Sequence, residues 1–115
     1  MQIQLKRIYD DAEPGDGFRV LVDRLWPRGV SKERAALDLW AKDVAPSSAL
    51  RDAFHHGGLP WDDFASAYRT ELAGNPALRA LQAELAQHPV ATLLFGAQDA
   101  QHNQAVILRE VLLAG

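Results

Sequence analysis

Cysteine is absent from the 115 residues. Its absence excludes disulfides, thiolate metal sites and a cysteine nucleophile, and is neutral between compartments. A basic excess is missing too: 12 Lys and Arg stand against 15 Asp and Glu, for a net charge of −3. General binders of duplex nucleic acid carry a clear positive surplus, so no duplex partner is expected. No stretch approaches the roughly 18 apolar residues of a membrane span, and Met1–Arg7 holds no apolar run of signal-peptide length. The expectation is therefore a cytoplasmic protein without a membrane partner. Internal repeats, low-complexity segments and linkers are likewise missing, and nothing in the sequence fixes an oligomeric state.

What is present is ordinary for a globular protein, with 48% hydrophobic and 23% charged residues. The length suits one domain over residues 1–115 with a single core. Charge is unevenly placed. Residues 1–34 hold seven Lys and Arg against six acids, whereas the rest hold five against nine. A local basic site on an acidic body suits a small anion better than a duplex.

The patterning predicts strands alternating with helices. Residues 2–9 alternate polar and apolar, as an edge strand does, and residues 10–17 are turn formers throughout. Residues 18–25 form the near-continuous apolar run of a central strand, which Trp26-Pro27-Arg28-Gly29 cannot continue. Ser31 reads as the N-cap of a short helical turn over 32–36, and residues 37–42 as a third short strand. Ser47 or Ser48 caps a helix that closes at His55-His56-Gly57-Gly58. Trp61, Phe64, Tyr68 and Leu72 recur at helical spacing, and Asn75-Pro76 opens a further helix with Leu78, Leu81 and Leu85. Residues 90–95 are the clearest buried strand. A last helix is predicted over 100–113, with Ala105, Leu108, Val111 and Leu112 inward. The fold class is α/β: a small domain with a mostly parallel sheet of about four strands flanked by helices. One connection is difficult. The residues between the first two strands are few for a parallel crossover, so that pair is either antiparallel or joined through a tight turn.

In a parallel sheet, ligands bind beyond the carboxyl ends of the strands. Three polar segments leave such ends: Asp23 to Gly29, Lys42-Asp43 with Pro46-Ser47-Ser48, and Gln98-Asp99 with His102-Asn103. Their convergence predicts a pocket for a small anion. Arg24 and Arg28 are the main candidates, because a planar guanidinium grips phosphate or carboxylate with two hydrogen bonds. Arg7, Lys32 and Lys42 add charge, and the helix start at Ser47 offers backbone N–H groups. The bland alternative pairs Arg24 with Asp23 or Asp43 and leaves the other cations in solvent.

Asp99 and His102 are the acid–base candidates. Asp99 also suits the N-cap of the last helix, and a His in that helix's first turn is held neutral by the positive end. Asn103 either orients a ligand or bonds a neighbouring loop. His55 and His56 point different ways, and Asp99 with His102 makes a weak ligand pair, so neither a metal nor a cofactor is expected. Trp26, Trp40 and Trp61 read as core or lid residues rather than a platform for stacking bases.

Three strings then carry a resemblance over essentially the whole chain: Gly17-Phe18-Arg19-Val20-Leu21-Val22-Asp23-Arg24-Leu25-Trp26-Pro27-Arg28-Gly29, Trp40-Ala41-Lys42-Asp43-Val44-Ala45-Pro46-Ser47, and Leu93 through Asp99 followed by His102-Asn103. Together with Lys6-Arg7-Ile8-Tyr9-Asp10 and Phe54-His55, they resemble the YeaO-like branch of the domain-of-unknown-function 488 (DUF488) family. The resemblance implies a compact α/β domain and no established activity. The broader family often ends the corresponding strand in Leu-Leu-Cys-x-Glu and opens the last helix with Cys-His-Arg. Here Leu93-Leu94-Phe95-Gly96-Ala97 and Gln101-His102-Asn103 keep the His alone, so cysteine chemistry does not carry over.

Three functional readings follow. The first is an enzyme, or a sensor derived from one, for a small anionic metabolite such as a phosphorylated compound. The second is a non-catalytic module for a protein or single-stranded nucleic acid. The third is a partner domain without a ligand.

Overall fold

Val90–Phe95 places six apolar or β-branched residues in a row, five of them buried, and this strand forms the spine of the molecule. In the computed structural model, which describes residues 1–115, four strands form one sheet. They are β1 (Gln2–Arg7), β2 (Phe18–Leu21), β3 (Leu39–Trp40) and β4 (Val90–Phe95), in the order β1-β4-β2-β3. Every neighbouring pair is parallel. Five helices complete the domain: α1 (Lys32–Ala35), α2 (Ser48–His55), α3 (Trp61–Ala73), α4 (Pro76–Leu85) and α5 (Gln104–Ala114). None is long and apolar enough to cross a membrane.

The strand order resolves the difficult connection. β1 and β2 are not a pair, because β4 lies between them and bonds to both. Residues 8–17 therefore pass over one strand and run back along four residues of it, from the level of Phe95 to that of Ala91, a path of roughly 16 Å that ten residues span with ease. The passage contains a single 3-10 turn, Pro14–Asp16. It ends at Gly17, whose φ of 63° and close approach to Val90 admit no side chain: a Cβ there would sit 2.3 Å from the Val90 carbonyl oxygen.

The sheet buries both faces, and alternation along each strand sorts the core into two parts. Ile3, Val20, Val22, Ala91, Leu93 and Phe95 face the long helices, meeting Phe64, Tyr68 and Leu72 of α3, Leu81 and Leu85 of α4, and Leu108 and Leu112 of α5. Leu21, Leu94 and Ile8 face the other way, against Val30 and Ala35 of the segment around α1. The helix starts follow local signals: Ser31, Ser47 and Asn75 each cap through their own side-chain oxygen.

Three expected boundaries are corrected. β2 stops at Leu21 rather than residue 25. Val22 still donates to the Leu94 carbonyl, but the Asp23 carboxylate then takes the Gly96 N–H at 2.8 Å and turns the chain out of the sheet. β3 is two residues rather than six, since Lys42–Val44 closes into a 3-10 turn. The last helix begins at Gln104, not 100, because Asn103 is its cap. Asp99 instead closes a separate turn by accepting the Gln101 and His102 N–H groups, so His102 precedes the helix and does not lie in its first turn.

Candidate functional site

Beyond the carboxyl ends of β2 and β4 lies a cleft of about 580 Å³ lined by 17 residues. Its floor is the pair of strand exits, Asp23–Arg28 from β2 and Gly96-Ala97 from β4; its wall is α2, through Arg51, Phe54 and His55, with the C-cap His56. The position is the one an open parallel sheet favours for ligands, where diverging strand exits leave backbone and side chains uncovered.

Of the nine residues expected at the site, Arg24 and Arg28 line this cleft. Their roles differ. The Arg24 guanidinium donates to the Pro46 carbonyl at 3.2 Å and the Ala45 carbonyl at 3.1 Å, which ties the β2 exit to the segment before α2. Arg28 is exposed, and its guanidinium has no hydrogen-bond or ion-pair partner in the protein, while its backbone is fixed on both sides. The Tyr9 hydroxyl donates to the Arg28 carbonyl at 3.1 Å, and the indole of Trp26 donates to the Val30 carbonyl at 2.7 Å. Gly29 takes the left-handed φ of 74° that closes the corner. A free guanidinium thus stands on a braced loop.

The other seven sit elsewhere on or near this end. Arg7 donates through Nε to the Ala97 carbonyl at 2.9 Å and lies over the Tyr9 ring. Lys32 is exposed on α1, and the Lys42 ammonium lies 5.3 Å from the centre of the Trp40 ring. Ser47 caps α2, and Glu71 takes both its hydroxyl (2.6 Å) and its backbone N–H (2.9 Å), so a carboxylate of the protein already occupies that helix start. Asn103 is buried, its amide oxygen accepting from Ala105 and Val106 and its nitrogen donating to the Asp99 carbonyl. Asp99 and His102 pair at 2.9 Å on an exposed loop, where the His102 ring meets the Trp61 ring edge-on with 5.1 Å between ring centres. The backbone N–H of Gln101 and the His102 ring hold the Asp99 carboxyl below its ordinary range. No three His, Asp or Glu side chains gather as a metal-ligand set.

The cleft also contains residues that the strand-end argument passed over. Arg51 and His55 lie four apart on α2, hence on one helix face, and both line the cleft. The nearest carboxylate oxygen to Arg51 is that of Asp52, at 4.0 Å, which leaves the guanidinium loosely held. Burial, then the neighbouring Arg51 and His56, pushes the His55 ring below its ordinary pKa, so it is neutral at pH 7. Asp23 is the one acid on the lining. Burial raises its pKa, opposed by hydrogen bonds from Gly96 and from the Gln104 amide and by the charge of Arg51. The i,i+4 spacing of Arg51 and His55 was available in the sequence; what the sequence did not show was that this face of α2 turns toward the β2 exit.

The comparisons with known proteins agree with one another. The family described as "Inactive DUF488-N3 subclade" matches residues 2–115. The uncharacterized protein YeaO of Escherichia coli K12 is 44% identical over 112 residues, covering 97% of each chain. The uncharacterized protein Rv3073c of Mycobacterium tuberculosis H37Rv is 39% identical over 111 residues, covering 96% of this chain and 93% of that one. No solved structure matches. With a match from end to end, the chain belongs to the DUF488 family, in the subclade described as inactive DUF488-N3.

Proposed function

We propose that this protein is a cytoplasmic receptor for a small phosphate- or carboxylate-bearing anion, derived from an enzyme fold and binding without turnover. The observation that carries the reading is the Arg28 guanidinium, unpartnered on a braced corner and sharing the cleft with the loosely held Arg51. The fixed backbone removes the cost of ordering the loop when Arg28 grips an oxyanion, and the planar fork loses less side-chain freedom per hydrogen bond than an ammonium does, which favours recognition over an ion pair on a flexible loop. Arg24 holds the cleft's shape, since its donors go to backbone carbonyls. The description of the matching subclade as inactive accords with binding alone.

The test is thermal denaturation with inorganic phosphate or sulfate at constant ionic strength, on wild type, Arg28→Ala and Arg28→Lys. Binding to the folded state raises the melting temperature by mass action. The wild type is expected to gain stability, the Ala variant to lose that gain, and the Lys variant to recover only part of it. A wild type indifferent to every anion, or an Arg28→Ala protein that no longer folds, defeats the proposal. Affinity for single-stranded nucleic acid that falls steeply with salt favours the nucleic-acid module instead.

One observation favours a second, catalytic reading. Asp99 fixes Nδ1 of His102 at 2.9 Å and leaves Nε2 free, the arrangement of a general base. Under that reading the bound anion extends beyond the cleft to the exposed His102, and His102→Gln abolishes its turnover while binding at Arg28 persists; absence of any turnover by the wild type removes it.

A further inference from the structure

We infer that the anion taken by the cleft is a nucleoside monophosphate, with its phosphate at Arg28 and Arg51 and its base against the aromatic wall. The inference rests on the anion-binding reading above and specifies its ligand. Three features of the lining separate an organic phosphate from a bare one.

The first is ring content. Six of the 17 lining residues carry an aromatic or imidazole ring (Tyr9, Trp26, Phe54, His55, His56 and the buried Phe64), against 13 such rings in all 115 residues (three Trp, two Tyr, four Phe and four His). A hydrated inorganic anion gains nothing from such walls, whereas a base gains stacking on them. Phe54 is the centre of this wall, stacked on Phe64 with ring centres 4.4 Å apart and tilted toward Trp61 and His55. The second is Leu25, which lines the cleft with 58% of its surface in solvent and is among the few exposed large apolar side chains. A ligand with an apolar body covers it. The third is Asp23. A carboxylate in the same cleft as the unpartnered Arg28 and the loosely held Arg51 opposes a compact polyanion. It accepts from a ligand's hydroxyl or amino group, because each oxygen keeps a second lone pair after bonding Gly96 or Gln104. Ribose and base supply such donors. The volume falls inside the range of roughly 300–1,000 Å³ typical of small-ligand sites.

The experiment titrates the full chain with AMP, GMP, CMP and UMP, with the matching nucleosides, and with inorganic phosphate, at one ionic strength, following tryptophan fluorescence and calorimetry. At least one nucleotide is expected to bind ten-fold or more tightly than both its nucleoside and phosphate. It should quench the tryptophan signal, since Trp26 lines the cleft. Arg28→Ala should bring that nucleotide to the level of its nucleoside, and Leu25→Ala should weaken it several-fold while leaving phosphate binding as it was. If phosphate binds as tightly as every nucleotide, this inference falls while the anion receptor stands. If nucleosides bind as tightly as nucleotides, or nothing binds, both fall.

Discussion

Two groups of charges, both drawn largely from the first 34 residues, meet opposite fates. Lys6, Asp16 and Arg19 form a closed cluster at the side of the sheet. Asp16 and Arg19 are each only 5% exposed. Arg19 bonds the Asp16 carboxylate at 2.5 Å and the Ala35 carbonyl at 2.8 Å, and Lys6 reaches Asp16 at 2.9 Å and Glu13 at 2.6 Å. Every side-chain donor nitrogen there has a partner within the protein. In the cleft, Arg28 and Arg51 face the sheet's carboxyl edge with little or no partner, and Asp23 stands alone among the acids. The two aspartates record the contrast. Burial pushes both upward, but at Asp16 hydrogen bonds from the Glu13 N–H, Lys6 and Arg19 overcome it and the carboxyl lies below its ordinary range. At Asp23 the opposing bonds are too few, and burial wins. A saturated cluster holds the fold; an unsaturated one is available to a ligand.

The sharpest way to break this comparison is Arg19→Ala. It removes one of the two cations on the buried Asp16 carboxylate, leaving Lys6 as the other, and takes the guanidinium donor from the Ala35 carbonyl, so it should cost about 3 kcal/mol in urea denaturation, the low end of the range for breaking a buried pair. A cost below about 1 kcal/mol would mean the cluster is as dispensable as a surface pair. Leu94→Ala calibrates the scale. Leu94 is fully buried in β4, on the same small-face core as Ala35, whose carbonyl receives Arg19, and its truncation should cost about 2–5 kcal/mol.

Acid titration separates the two aspartates by sign. Asp16 is depressed on folding, so its contribution is present above the unfolded value of about 3.9 and is lost as pH falls through the lower folded value. Asp23 is raised on folding, so the folded state binds the proton first, and stability from this group increases as pH falls toward about 4. Unfolding free energies measured from pH 7 to pH 3 should show Asp23→Asn abolishing the gain on the upper side and Asp16→Asn abolishing the loss on the lower side. Matching slopes for both variants would show that the two environments do not differ. The smallest effect on stability is expected at Arg28. Arg28→Ala removes no internal bond of its side chain and should stay within about 1 kcal/mol of wild type, while anion-induced stabilisation disappears. A larger loss by denaturation without ligand would place Arg28 with the closed cluster.

The helices and the buried strand were legible because their signals are local. Ser47 and Asn75 bond N–H groups two or three residues on, and Pro76 fits the first helical position by its own ring geometry. The repeat of Phe64, Tyr68 and Leu72 describes one helix face whatever lies opposite. The run Val90–Phe95 needs only burial on both sides to make sense. The corner at Pro27-Arg28-Gly29 follows from the dihedral limits of proline and glycine, although its brace by the Tyr9 hydroxyl comes from a distant segment. The caps, the helical repeat, the buried run and the turn itself involve residues a few positions apart, so the sequence by itself determined them.

Partnerships between distant segments were decided by the tertiary structure alone. That β4 enters between β1 and β2 depends on a pairing across more than 70 residues, which no pattern within either strand encodes. Arg19 and Arg24 read alike in sequence as cations on or just after an apolar strand. Arg19 is buried against Asp16, Arg24 holds two carbonyls, and only Arg28 is left over. Asp99 satisfied the local rule for a cap, yet Asn103 took α5 because its oxygen reaches two N–H groups in the position where the chain packs. The sequence can say that a charge or a cap is chemically able to act. Which of them is already satisfied is a question of three-dimensional neighbours, and hydrogen-bond donors and charges act over a few ångströms, not along the chain.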